Sequence, residues 1–281
     1  MDRDTILVIG STGTQGGAVA RHLLARDVDV VALTRDHNKP AAHELAEAGA
    51  EVVEGDIGEK NSIEALVEDA DGVFCVTNFW EHGYDDEVEQ GTNVADLAAA
   101  EGVEHVVFSS VGGAERDTGI SHFDSKYEIE ERFAELEVPT TVVRPVFFAQ
   151  NFEGFRESIE DGTLGMGLEW GVSLQVLDIE DLGAFVAAAF ADPDRYVGEA
   201  YELASDELTL RAMAARFGDH LDAPVRANHL SIDDIEESQG EAYAVMFEWF
   251  NEAGYESPID ELRADHDVSF NRLETYLERE W

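Results

Sequence analysis

Gly10, Gly13 and Gly16 recur at every third position of Gly10-Ser11-Thr12-Gly13-Thr14-Gln15-Gly16-Gly17. Each meets one demand of a strand-to-helix turn that holds a phosphate. Gly10 turns the chain sharply off a strand. Gly13 removes a side chain where a pyrophosphate approaches the backbone, and Gly16 lets the next helix lie close to the strand. Free N–H groups and the positive end of the helix dipole then favour an anion. The context agrees. Apolar Ile6-Leu7-Val8-Ile9 precedes the turn as a buried parallel strand, and Ala18-Val19-Ala20-Arg21-His22-Leu23-Leu24 follows with helical spacing.

A second anion reader is Arg35, twenty-five residues after Gly10 at the end of the strand Asp29-Val30-Val31-Ala32-Leu33-Thr34. An NAD site places an acid here for the ribose 2′-hydroxyl, whereas an arginine suits the 2′-phosphate of NADP. Asn38 and Lys39 add donors, and Asp36 adjoins them. The expectation is NADP(H) in preference to NAD(H), against the plainer reading of a solvated basic turn. Asp56 follows a short third strand, Glu51 to Glu54. It reaches the adenine amino group or caps the helix Ser62 to Glu68, and both readings stand. Thr77 and Asn78 leave the fourth strand, Gly72 to Val76, at the edge that lines the ligand crevice of doubly wound sheets. Phe79 and Trp80 cover that crevice or join the core.

These residues require a scaffold, and strands and helices alternate along most of the chain. Helices are expected at Pro40 to Gly49 and Val88 to Gly102. A fifth strand, His105 to Phe108, ends in Ser109-Ser110, and a sixth is Pro139 to Arg144. The pattern then loosens. A helix and a glycine-rich turn occupy 154–171, and Val172 to Leu177 is a strand. A helix capped by Asp178 runs through Ala191, followed by a strand, Glu199 to Leu203, and a helix, Thr209 to Leu221. Tyr243, Phe247, Trp249 and Phe250 fall at helical spacing and read as packing. The fold class is α/β: a Rossmann doubly wound parallel sheet with helices on both faces. Residues 1–152 form the dinucleotide domain. Residues 153–281 form a smaller C-terminal region that adds late strands to the sheet and helices over the cleft.

Composition bounds the partners. The 281 residues are 44% hydrophobic, enough for a full core. No stretch is long and apolar enough to span a bilayer, and the first strand begins too early for a signal peptide. Cys75, alone of its kind, lies in an apolar strand and reads as a buried structural thiol in a reducing cytoplasm. None of the nine histidines is spaced with Cys75 or another histidine as metal ligands, so no metal is expected. Sixty-two acids face eighteen bases, of which only Lys39, Lys60 and Lys126 are lysines, for a net charge of −44. Such a surface repels nucleic acid and anionic membranes. The acid is spread along the chain and resembles that of proteins from salt-loving archaea, where concentrated salt screens the self-repulsion. Monomer and homodimer both remain open.

Several motifs coincide in order. The glycine turn, Thr34-Arg35, Thr77-Asn78-Phe79-Trp80, His122-Phe123-Asp124-Ser125-Lys126, Arg144-Pro145-Val146-Phe147-Phe148-Ala149-Gln150-Asn151-Phe152 and Leu177-Asp178-Ile179-Glu180-Asp181-Leu182-Gly183 resemble the NmrA-like family. That family is a branch of the atypical short-chain dehydrogenases, and the chain is similar to its animal NADPH-sensing members. The resemblance spans nearly the whole chain. It implies an NAD(P)-binding Rossmann domain with a small α/β region over the cleft. Family contacts to NADP would fall on Gly10, Ser11, Thr12, Gly13, Thr14 and Gln15; on Arg35, Asn38 and Lys39; on Asp56 and Ile57; on Thr77, Asn78 and Phe79; and on Lys126 and Phe148 to Asn151.

Classical short-chain dehydrogenases pair a tyrosine with a lysine four residues later. Here the residue four before Lys126 is His122, and Tyr127 follows on another helical face. Three readings follow. The leading one is a redox sensor that binds NADP(H) without turnover, with a regulatory protein partner. The second is an NAD(P)H-dependent reductase of quinones or conjugated carbonyls, with His122 or water supplying the proton. The third is a protein-interaction scaffold stabilised by its cofactor. His122 and Lys126 are the catalytic candidates.

Overall fold

A computed structural model describes residues 4–281. The first half alternates as expected. It runs β1 (Thr5–Val8), α1 (Thr14–Leu24), β2 (Asp29–Thr34), α2 (Pro40–Glu47), β3 (Glu51–Glu54), α3 (Lys60–Glu68) and β4 (Gly72–Val76). It continues through α4 (Phe79–His82), α5 (Tyr84–Glu101), β5 (His105–Ser109), α6 (Ser121–Glu135) and β6 (Thr140–Pro145). The later chain carries β7 (Phe147–Phe148), α7 (Arg156–Glu160), β8 (Thr163–Met166), β9 (Ser173–Leu177), α8 (Ile179–Ala191), α9 (Pro193–Tyr196), β10 (Ala200–Leu203) and β11 (Asp206–Thr209). It ends with α10 (Leu210–Leu221), β12 (Arg226–His229), α11 (Ile232–Gln239), α12 (Glu241–Glu252), α13 (Ile259–Asp265) and α14 (Leu273–Glu280).

Seven strands form one parallel sheet in the order β10-β6-β5-β4-β1-β2-β3. The doubly wound expectation is met. Strand order reverses between β1 and β4, and doubly wound sheets open their ligand crevice at the carboxyl ends of such a pair. Both faces are covered. On one, Val19 and Leu23 of α1 pack with Leu182, Phe185 and Val186 of α8; on the other, Val94 and Leu97 of α5 pack with Ile129 and Phe133 of α6. Each of these side chains, fully buried, contributes roughly 1.5–3 kcal/mol of transfer free energy. A third cluster gathers Phe152, Met166, Phe217, Phe247 and Tyr276 beneath the later helices.

The chain beyond residue 152 is built into the sheet as well as over it. β10 pairs with β6, matching Ala200 with Val142, and α8 covers the face beside α1. Asp178 caps α8 by accepting from Glu180 N–H at 3.2 Å, and it also receives Arg279 from α14 at 2.8 and 3.0 Å. The C-terminal helix is thereby tied to the Rossmann core.

Departures are local. α3 begins at Lys60 and α5 at Tyr84, ahead of the expected Ser62 and Val88, because polar first turns carry no apolar period to read. Residues 79–82 close into a short helix. β8, expected as a glycine-rich turn, pairs in parallel with β12, and β11 pairs antiparallel with β9. These short strands take their hydrogen bonds from distant segments, so their own sequences signal little.

Candidate functional site

The glycine turn is held as its spacing demands. Gly10 has φ +69°, and its carbonyl accepts from Gly13 N–H at 2.9 Å. A methyl group on Gly16 would stand 2.3 Å from that same carbonyl oxygen, so α1 starts here only without a side chain. Gly13 caps α1 with no side-chain bond, which leaves the first-turn N–H groups facing outward for an anion. Ser11 serves the scaffold instead. Its buried hydroxyl donates to Leu33 C=O at 2.8 Å and ties the turn to β2. Thr12 lies 3.3 Å from Thr34, oxygen to oxygen. Gln15 Oε1 accepts from Ser109 at 2.7 Å, which links the turn to β5.

A cavity of about 510 Å³ opens along this edge. Gly10, Thr12, Gly13, Thr14, Gln15 and Gly16 line its floor. Arg35 and Lys39 stand at one end, and Asp56 and Ile57 beside them. Thr77, Asn78 and Phe79 form the opposite wall. Ser11, Asn38 and Lys126 do not line it. Asn38 turns back on Asp36, which accepts from its N–H at 2.9 Å and its amide at 3.1 Å. Asp56 does not cap α3; its carboxylate accepts from Gly58 N–H at 2.9 Å and shapes the loop below the cavity.

Arg35 is already partnered. Its Nη2 donates to Glu81 at 2.7 Å, and its Nη1 lies 3.2 Å from His82 Nε2. The bond to Glu81 raises the guanidinium pKa further and lowers that of the carboxyl. Glu81, from α4, gave no signal in sequence, where one acid among sixty-two reads as solvated.

Lys126 lies deeper than expected. Its ammonium donates to Thr77 C=O at 2.8 Å and Thr77 Oγ1 at 2.7 Å, and pairs with Glu87 at 2.7 Å. All three donors are used. Glu87 is fully enclosed and also accepts from Thr77 and Ser125. One signal for it was available: a lysine within the apolar face of α6 requires a buried acid nearby.

His122, near the start of α6, is packed among Phe79, Trp80 and Phe123, with ring centroids 5.6, 4.9 and 4.9 Å away. Burial pushes its pKa down to about 4, which outweighs the pull of Glu87, so the ring is neutral at physiological pH. Its Nδ1 is enclosed without a partner among the described residues, as is the Ser110 hydroxyl.

A second cavity, about 790 Å³, adjoins the first. Phe123, Phe148, Phe155, Tyr243, Met246 and Tyr255 supply its apolar wall, and Ser110 and Asn151 supply polar points. Phe148 and Asn151 therefore lie here, not along the first cavity. Gln15, Trp80 and His122 line both. Trp80 stacks on Tyr243 at 5.2 Å and joins α4 to α12 across the cleft. Tyr243 was expected only to pack.

A parallel sheet with reversed strand order, a glycine turn at its switch point and a crevice above it define a Rossmann-type α/β protein. The model described as the NmrA-like family matches residues 2–277, and the chain belongs to that family. It is 32% identical over 272 residues to an NmrA-like family domain-containing protein of Dictyostelium discoideum, covering 89% of this chain and 88% of that one. It is 29% identical over 231 residues to a Streptomyces griseus protein named (4-alkanoyl-5-oxo-2,5-dihydrofuran-3-yl)methyl phosphate reductase, covering 81% of this chain and 78% of that one. Among solved structures, an NADPH-dependent quinone oxidoreductase of Escherichia coli complexed with NADPH superposes with a TM-score of 0.81. There the identity is 20%, over 98% of each chain. Among the described residues, no helix is long and apolar enough to cross a membrane, and no cluster of His, Cys, Asp and Glu is arranged for a metal.

Proposed function

We propose that the protein is an NADP(H)-dependent reductase of a planar, apolar acceptor such as a quinone or another conjugated carbonyl. The observation that carries this reading is the shared wall: His122 lines both the crevice over the glycine turn and the adjoining aromatic cavity. The residues of the first cavity fit a dinucleotide. Gly10, Gly13 and Gly16 line that cavity where the uncapped first turn of α1 begins, and Arg35 and Lys39 supply cationic donors.

When bound, the reduced cofactor supplies hydride from its nicotinamide ring. The chain does the rest. The α1 turn holds the diphosphate, and Arg35 with Lys39 holds the 2′-phosphate. The aromatic walls of the second cavity exclude water and orient a flat acceptor against the first. His122, neutral where the two cavities meet, borders the acceptor, and the proton that accompanies hydride to the acceptor oxygen comes from solvent. The Streptomyces griseus relative, named as a reductase, supports this chemistry.

The sensor reading stands second, favoured by one observation. Lys126 is locked beneath Thr77 by Glu87, so the tyrosine–lysine pair of the classical enzymes has no equivalent at the cavity surface. NADPH absorbance followed in concentrated KCl with a panel of quinones, enones and azo dyes separates the two. Turnover that H122A removes supports the reductase. Tight NADPH binding with no turnover across the panel supports the sensor.

A further inference from the structure

Arg35, just after β2, and Glu81 of α4 line the first cavity together, forty-six residues apart in sequence. The pair is 2.7 Å long, each side chain is 43% exposed, and Asn78 steadies Glu81 through its amide at 3.4 Å. His82 lies on the other guanidinium nitrogen. A cofactor entering here therefore meets an arginine that already holds a carboxylate.

The two ribose chemistries meet this pair differently. A 2′-phosphate competes with Glu81 for Arg35 Nη2, and its negative charge is repelled by that carboxylate. A 2′-hydroxyl has no such conflict, because it donates to a carboxylate. In an NAD site that carboxylate stands at the end of the second strand. Here Arg35 takes that place, and α4 brings an acid to the same point from the opposite side of the crevice.

We propose that Glu81 is a specificity-determining residue that offers the 2′-hydroxyl of NAD(H) its acceptor and competes with the 2′-phosphate of NADP(H) for Arg35. The preference for NADP(H) is accordingly narrower than Arg35 alone would set it, and Glu81 controls its width. This rests on the reading of the first cavity as the dinucleotide site and is independent of whether turnover follows.

The test is the dissociation constant of NADPH and of NADH, titrated at one fixed salt concentration for the parent, E81Q and R35A. Glu81 is exposed, and glutamine keeps its size and its carbonyl acceptor. Releasing a surface pair and removing a repelling charge should tighten NADPH by about 3- to 10-fold in E81Q. NADH should be unchanged or somewhat weaker. Equal shifts for both cofactors, or weaker NADPH binding, would overturn the proposal. R35A separates the two levels. If R35A loses NADPH selectively while E81Q shifts nothing, Arg35 reads the phosphate and the Glu81 proposal fails alone. If R35A weakens both cofactors equally, the 2′-phosphate reading falls and takes the Glu81 proposal with it.

Discussion

The Lys126 ammonium and the Glu87 carboxylate lie 2.7 Å apart in a pocket from which Glu87 has no exposure at all. The pair joins α5 to α6 under the end of β4, so it positions the wall of the crevice. Removing one partner of such a pair leaves the other charge buried and uncompensated. E87A should cost about 3–5 kcal/mol. For a chain of this size that lowers the melting temperature by roughly 10 °C. E87Q, which keeps contacts to Thr77 and Ser125, should lose less. A melting temperature for E87A within about 2 °C of the parent would show that the pair is dispensable.

Gly16 is the tightest point of the turn. Its added methyl would lie 2.3 Å from Gly10 O, a distance that backbone cannot accommodate without moving. G16A should therefore shift α1 away from β1 and abolish dinucleotide binding, with a loss of stability alongside. Calorimetric titration with NADPH checks this. Retained affinity in a folded G16A protein would contradict the assignment of the turn.

His122 carries no charge in the folded protein near neutral pH, since burial holds its pKa at about 4. Turnover should show no step as pH rises through about 6.5, where an ordinary histidine loses its proton. A fall in kcat/KM there would mean that the imidazolium is the active form. The same depression has a stability consequence, shared by His105, whose buried ring is also held at about 4. The unfolded chain binds these protons near pH 6.5 and the folded chain does not. The stability contributed by the neutral rings is thus complete above about pH 6.5 and is lost as pH falls towards about 4. Acid also relieves carboxylate repulsion, so the readout is the difference between parent and H105Q, which should narrow the acid loss.

Salt should govern stability. With a net charge of −44, self-repulsion of the compact state weakens as the screening length shortens from about 30 Å at 0.01 M to about 3 Å at 1 M. The melting temperature should rise steeply between millimolar and molar KCl. A value independent of KCl would refute the salt-adapted reading of the composition.

The alternation of strands and helices through β6 was legible because buried parallel strands read as unbroken apolar runs and their covering helices as periodic ones. Asp178 announced the start of α8 by its position alone. The short strands β8, β11 and β12 were illegible, since each forms only against a partner far along the chain. Lys126 and Ser11 show the same division within the site. The family resemblance implied cofactor contacts for both, and the tertiary structure gives them scaffold partners that no local pattern shows: Leu33 for Ser11, Thr77 and Glu87 for Lys126.

The sequence by itself determined the fold class, the family and the glycine turn, because these depend on local periodicity and on steric demands that only glycine meets. Tertiary structure alone decided which of sixty-two acids matter. Glu81 and Glu87 are chosen by the approach of α4 to β2 and of α5 to α6, and charge pairing across such distances leaves no trace in local spacing. It also decided that His122 lies where two cavities meet, buried and neutral.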